Sequence, residues 1–352
     1  MYKGGPDYHN VPLFINIPSH IAITDLQHAF SSLAALHEVL RTTFRLEEGQ
    51  LFQSVIPASD FPADQLLVAQ EDLQSNTDRL TNIPFELDEG VLIRAYYEHR
   101  EKETHFLFLI HHAIVDATSL KLVKRDFLDL LHAPEQVGER TFRSYLSYSN
   151  QQLSRSQELD NLSFTYWREK LNDLPVLYFK TDQERVPIHV YEQSTLKQVL
   201  TLDDSYTAFA EEHQVDIRQI CLAACKMALA KLTGQDDIVI GTMVDLRDEQ
   251  TKHTVGPIDN LVVLRSAVEQ ELSLLEIGRA ICQTDEEANK HKQIAFERLV
   301  DHLKPQIDKS RTALFDVLFA HRFQETEQGY SYVANRGWGK YGFNLCVEET
   351  TD

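Results

Sequence analysis

Residues 107–119 read LFLIHHAIVDATS. An apolar run ends in two histidines, and an aspartate follows four positions after the second. Residues 104–112 read as a strand that is apolar on both faces, the pattern of a buried central strand. A helix is predicted from about Ala117 to Leu131, with Leu120, Val123, Phe127, Leu130 and Leu131 on its inner stripe. Side chains alternate along a strand, so His112 shares a face with Phe108 and Ile110, and His111 shares the other with Leu109. The rings then point opposite ways, which argues against a metal site built from both. Two readings stay open. A histidine ending a strand is commonly a packed, hydrogen-bonded residue, and Asp116 can simply cap the helix. The other reading is chemistry, because a neutral imidazole with a pKa of about 6.5 can accept a proton near neutral pH.

Outward from this stretch, strands and helices interleave in both halves. Towards the N-terminus, residues 11–17 read as a strand and Asp25–Leu40 as a helix capped by Thr24, with a strand over LFQSVI (51–56). Residues 91–98 read as a further strand, separated from the histidine-bearing one by a charged turn, and 132–160 read as polar and loop-rich. Towards the C-terminus, helices are predicted over 204–213, 217–233 and 272–290, with Gly234 ending the second. Strands are predicted over 235–244, 261–268, 314–323 and 341–349. Gly241 lies inside one of these strands, where backbone or ligand can come close. The chain has 352 residues, which favours two lobes of roughly 170 residues each, 1–175 and 176–352.

Composition narrows the function classes. A net charge of −20 argues against a nucleic-acid binder, which needs a basic footprint, and disfavours an anionic membrane surface. No run of about 18 apolar residues is present, and the start MYKGGPDYHN lacks the apolar core of a signal peptide. A cytoplasmic protein is the expectation. Cys221, Cys225, Cys282 and Cys346 show no CxxC pair and no metal-ligand spacing, so they read as buried thiols and no metal is expected.

HHAIVDA (111–117) resembles the His-His-x-x-x-Asp-Gly motif of the condensation domains of nonribosomal peptide synthetases. Further blocks resemble the family in order. HEVLRTTF (37–44) is similar to its His-Glu-x-Leu-Arg-Thr-x-Phe block and YWREKL (166–171) to its Tyr-Trp block. TGQDDIVIGTMVDLR (233–247) resembles the segment entering its latch, and VGPIDNLVVLR (255–265) its Gly-x-Phe-Val-Asn-Thr block. FERLVDHLKP (296–305) with LFDVLF (314–319) resembles its floor loop.

The resemblance implies two lobes shaped like chloramphenicol acetyltransferase, set as a V-shaped pseudo-dimer with a tunnel between them. It implies amide formation by attack of an acceptor amine on an acyl or aminoacyl thioester. The alternatives are an ester-forming or coenzyme A-dependent acyltransferase of the same fold, or a non-catalytic recruitment domain. His112 falls on the catalytic position, as a base or a positioner. His111 is assigned to packing or loop support, and Asp116 to anchoring the loop through an arginine. Arg247 is the candidate partner, against the alternative of a solvated loop arginine. Gly241, Gly256 and Asn260 are tunnel or latch candidates. The resemblance implies no cofactor bound by the domain itself, with substrates on phosphopantetheine arms. Its partners would be donor and acceptor peptidyl carrier proteins, or a small-molecule amine, and neighbouring synthetase domains. Lys121, Lys124 and Arg125 could dock an acidic carrier or form an ordinary solvated helix face.

The match departs at named places. Ala117 replaces the motif's usual Gly, which is expected to narrow the acceptor channel or to have no effect. Asp259 stands where the family tends to be apolar, Ala295 where it has Pro, and Asn344 where it has Asp. Stretches that the family carries before DYHNVP and after FNLCV are not seen, so both ends are read as trimmed.

Overall fold

A computed structural model describes residues 9–88, 90–133, 135, 140, 142–154, 157–182, 185–188, 194–199, 204–269, 271–305, 308–324 and 341–350. The chain forms two compact units. Among the described residues, the first holds 9–154 and 247–259, and the second holds 157–246, 260–324 and 341–350. The sequence reading put a single break near residue 175. The first unit instead stops at Ser154 and takes in 247–259, a segment that a single break near 175 assigns to the second lobe.

The first unit contains β1 (Asn10–Pro18), α1 (Ile23–Leu36), β2 (Thr42–Glu47), β3 (Gln50–Val55), α2 (Ala63–Leu66) and β4 (Leu67–Ala69). It continues with α3 (Leu73–Thr81), β5 (Ile93–His99), β6 (Glu103–His111), α4 (Ala117–His132) and α5 (Tyr145–Leu153). Its sheet runs β1-β6-β5-β4, with β6 antiparallel to both neighbours and β4 parallel to β5. β2 and β3 form a separate antiparallel hairpin. The strand that bears the histidines is therefore internal, and both its faces are covered. Phe106, Phe108 and Ile110 join Phe30 and Leu33 of α1 and Val123 and Phe127 of α4 in one core. Leu107 and Leu109 pack on the other side with Leu73 and Leu80 of α3. Phe106, Phe108 and Phe127 stack on one another with centroids 4.8–5.0 Å apart. Each such side chain stabilises the fold by roughly 1.5–3 kcal/mol relative to exposure.

α1 differs from the predicted 25–40 helix. It starts two residues earlier, after Ala22, so Thr24 lies in its first turn rather than at the cap. It ends at Leu36 because His37 turns out of the helix at φ −111°, ψ 97°, with its Nε2 2.8 Å from Asp126 Oδ2. Leu40 keeps its buried place in a 3₁₀ turn over Glu38–Arg41.

The second unit contains α6 (Gln157–Lys170), α7 (Asp204–His213), α8 (Ile217–Thr233), β7 (Asp237–Asp245), β8 (Asp259–Ala267, whose first residue belongs to the first unit) and α9 (Leu274–Lys290). α10 (Phe296–Leu303), β9 (Val317–Gln324) and β10 (Phe343–Thr350) complete it. The sheet order is β10-β9-β7-β8, with β9 parallel to β10 and β7. Asp216 and Gln219 form a capping box that starts α8, and Gly234 ends it at φ 69°. Ser273 and Glu276 do the same at the start of α9. Trp167, Leu222, Ile240, Val263, Ile281 and Phe319 lie in its core. Among the described residues, no helix is long and apolar enough to cross a membrane.

Candidate active site

β6 ends at His111, one residue short of the predicted strand end, and the next five residues turn into α4. The His112 N–H donates to the His9 carbonyl at 2.7 Å, which ties the turn to the start of β1. The His112 Nδ1 lies 2.7 Å from the Val115 carbonyl. A carbonyl oxygen can only accept, so Nδ1 carries the proton and Nε2 is the basic nitrogen of the neutral ring. His112 is exposed, and His111 is buried. The His111 Nδ1 accepts the Ala113 N–H at 3.1 Å, and its ring packs on His9 and edge-on against Phe85. The two histidines thus occupy different surroundings, one exposed and one locked into the turn.

Asp116 caps α4 and is only 3 % exposed. Its Oδ1 accepts from the Ser119 N–H at 2.7 Å and from Arg247 Nη2 at 3.0 Å. Its Oδ2 accepts from Arg247 Nη1 at 2.7 Å and from the Ile258 N–H at 2.8 Å. Arg247 is the paired residue rather than a solvated one, and its side chain also donates to the carbonyls of Thr254 and Gly256. A carboxylate held by this many donors works as an anchor and is poorly placed to take a substrate's proton.

The same network explains why 247–259 joins the first unit. Ser119 Oγ accepts the Gly256 N–H at 2.9 Å and lies within hydrogen-bond range of Asp116 Oδ1 and the Gly256 carbonyl. Thr254 Oγ1 donates to the Arg143 carbonyl, and the Arg143 N–H donates to the Gln250 carbonyl. Gly256 is required here because a Cβ would fall 2.2 Å from the Tyr145 ring. Ser119 and Tyr145 do not stand out in the sequence. The Ser119 signal is its place three residues after a capping Asp, whereas Tyr145 sits in a segment whose polarity hides α5.

The other predicted residues have definite places. Ala117 is the first residue of α4 and is exposed; it has helical backbone, so the usual Gly is not needed for conformation. Asn260 is committed within the second unit, where its Nδ2 donates to the carbonyls of Lys292 and Ile294 and its Oδ1 accepts the Phe296 N–H. Gly241 lets the Phe315 ring sit on β7, since a Cβ would meet that ring at 2.1 Å. Lys121 is exposed and Lys124 half-buried on α4. Arg125 is ion-paired with Asp126 at 2.8 Å, so its charge is already engaged and the three do not form a uniform basic patch. Burial would raise the Asp126 carboxyl, but hydrogen bonds and charge from His37 and Arg125 outweigh it and leave the pKa lowered. The sequence signal for Asp126 is an acid on the apolar stripe beside Phe127.

Asp259 opens β8, next to the anchored Ile258, and is half-buried. Burial, then the charge of Asp116, pushes its carboxyl up to about 6, against the opposing pull of His112 and Arg247. Tyr145 is pushed up to about 12, chiefly by burial, then by Tyr148, Asp116 and Asp259.

Set beside known proteins, the chain matches the family described as the condensation domain over residues 1–350. It is 27% identical over 323 residues to bacitracin synthase 2 of Bacillus licheniformis, covering 90% of this chain and 12% of that protein. The chain therefore spans a small fraction of that relative. The condensation domain of the monacolin K polyketide synthase MokA has a TM-score of 0.78 at 19% identity, covering 98% of this chain and 84% of the other. The X-domain from teicoplanin biosynthesis, solved in a complex with OxyB, gives 0.76 at 21% identity, covering 97% and 79%. At such identities the structural likeness speaks to the fold alone.

Proposed function

The chain belongs to the condensation-domain family, and on that premise we propose that it forms an amide between an acyl or aminoacyl thioester and an acceptor amine. The observation that carries this reading is the exposed His112 ring, whose Nδ1 is tied to the Val115 carbonyl so that Nε2 is left as the proton acceptor. The acyl group would arrive already activated on the phosphopantetheine arm of a donor carrier protein, so no protein nucleophile is needed. Holding thioester and amine together supplies part of the rate by proximity. The attacking nitrogen gives its proton to His112 Nε2 as the C–N bond forms, and the proton passes to the sulfur as the C–S bond breaks. Asp116 and Arg247 hold the turn that presents His112. The acceptor would be a second carrier protein or a free amine, and neighbouring synthetase domains would supply both.

The test loads two carrier proteins with labelled aminoacyl groups and follows their masses, with His112→Ala beside wild type. Product from wild type and none from the variant supports amide formation. Equal background from both overturns it and favours a recruitment domain. Replacing the acceptor by an alcohol, or the donor by a coenzyme A thioester, reads the ester-forming and coenzyme A alternatives directly.

A further inference from the structure

Two hydrogen bonds place His112. Its Nδ1 lies 2.7 Å from the Val115 carbonyl, which orients the ring within the turn, and its N–H donates to the His9 carbonyl at 2.7 Å, which ties the turn to β1. The second bond is only as firm as the His9 carbonyl itself. His9 comes just before the first residue of β1, and β1 ends the strand order β1-β6-β5-β4, so among the described strands β6 alone pairs with it. A strand end at a sheet edge opens more easily than the middle of a ladder, so strand pairing alone gives His9 little rigidity.

The next residue supplies a second hold. Asn10 is 1 % exposed and stands opposite His111 in the β1–β6 register. Its Nδ2 donates to the Thr81 carbonyl at 2.8 Å and to the Ile83 carbonyl at 2.9 Å, where α3 ends. Both acceptors are carbonyl oxygens, so the amide nitrogen must face them and both its N–H groups are used. Arg94 of β5 grips the same loop, donating to the carbonyls of Ile83 at 2.9 Å and Pro84 at 2.7 Å. Its guanidinium lies 4.0 Å over the Phe85 ring, which meets His111 edge-on. Among the described residues the buried Oδ1 of Asn10 finds no hydrogen-bond partner. An unpaired buried acceptor costs stability, so what this side chain contributes is its pair of donors.

We propose that Asn10 is a positioning residue for His112; this rests on the reading of His112 as the proton acceptor. Its amide clamps the start of β1 to the end of α3, and the clamp holds the His9 carbonyl that fixes the His112 backbone. Asn10 donates to backbone carbonyls, so it acts through His9 and not on the substrate. The clamp needs an amide. Aspartate has nearly the same shape, but an ionised carboxylate only accepts and would face two carbonyl oxygens. Leucine has a similar size and no donor. A misplacement of about 1 Å at a reacting group can cost on the order of 100-fold in rate, so a loosened His9 carbonyl should be felt in the chemical step.

The test combines hydrogen exchange read by NMR with acyl-transfer kinetics between loaded carrier proteins. In wild type, both Asn10 side-chain N–H protons should exchange at least about tenfold more slowly than those of an exposed asparagine. Exchange at the exposed rate would overturn the clamp with no variant needed. In Asn10→Leu the His112 amide should exchange at least about tenfold faster, while the Phe106 and Phe108 amides in the middle of β6 keep their wild-type rates. An unchanged His112 amide, or equal acceleration of all three, would overturn the role, the second because it marks a general loss of stability. The variant's kcat should fall about 10–100-fold with KM within about twofold of wild type. An unchanged kcat, or a loss carried by KM alone, would also overturn it. Asn10→Ser removes the amide with less bulk and should show the same pattern. Absence of product from wild type would sink the amide-forming reading, and the exchange rates would still decide whether Asn10 holds His112.

Discussion

The Asp116–Arg247 pair is the residue-scale feature with the clearest energetic consequence. Both side chains are almost fully buried, at 1% and 5% exposed, and they meet at 2.7 Å. Breaking a buried pair strands the remaining charge, so Arg247→Met should cost about 3–5 kcal/mol in chemical denaturation. A loss below about 1 kcal/mol would contradict the burial described. This pairing was legible in the sequence only through the resemblance, because no spacing rule links positions 116 and 247. Strand alternation separates His111 from His112 in the sequence, but β6 ends at His111, so His112 leaves by the turn and is exposed instead of sharing the buried face of Phe108 and Ile110. Asp259 was visible only as a departure from the family's pattern. The charge effect of His112 and Asp116 on it depends on where 247–259 crosses, which no local pattern encodes.

At the scale of elements, the periodic segments were legible and their ends were not. The period of α1 extends to Leu40, yet the Asp126 contact pulls His37 out of the helix four residues earlier. α5 was hidden because YLSYSNQQL buries no residue and has no apolar stripe. A second element-level feature was invisible for the opposite reason, since Lys226 lies within an apolar helical pattern. It is fully buried on α8, and its Nζ donates to the Leu264 carbonyl and Ser266 Oγ of β8. Burial lowers its pKa to about 7 from 10.5, helped by Lys170 and opposed by Cys225, Asp285 and Asp237. Between pH 7 and 10 the unfolded chain keeps this proton and the folded chain does not. The unfolded state then binds more protons, so stability should rise with pH across that window. Lys226→Met should remove this rise. Parallel stability curves for wild type and variant over pH 7–10 would contradict it.

Over the whole molecule, the family and its fold were legible because motif blocks recur in order along the chain. The division into units was less so, because 247–259 crosses after β7 and compactness depends on contacts far apart in sequence. The net charge of −20 leaves little general attraction for acidic partners, and Arg125 is already paired, so carrier recognition would depend on local contacts. The most direct test of the central claim is the single-turnover rate of acyl transfer between two loaded carrier proteins, for wild type, His112→Asn and His111→Asn. With His112 as the proton acceptor, His112→Asn should slow transfer by about 100-fold or more, and His111→Asn by much less. Equal rates for wild type and His112→Asn would contradict it.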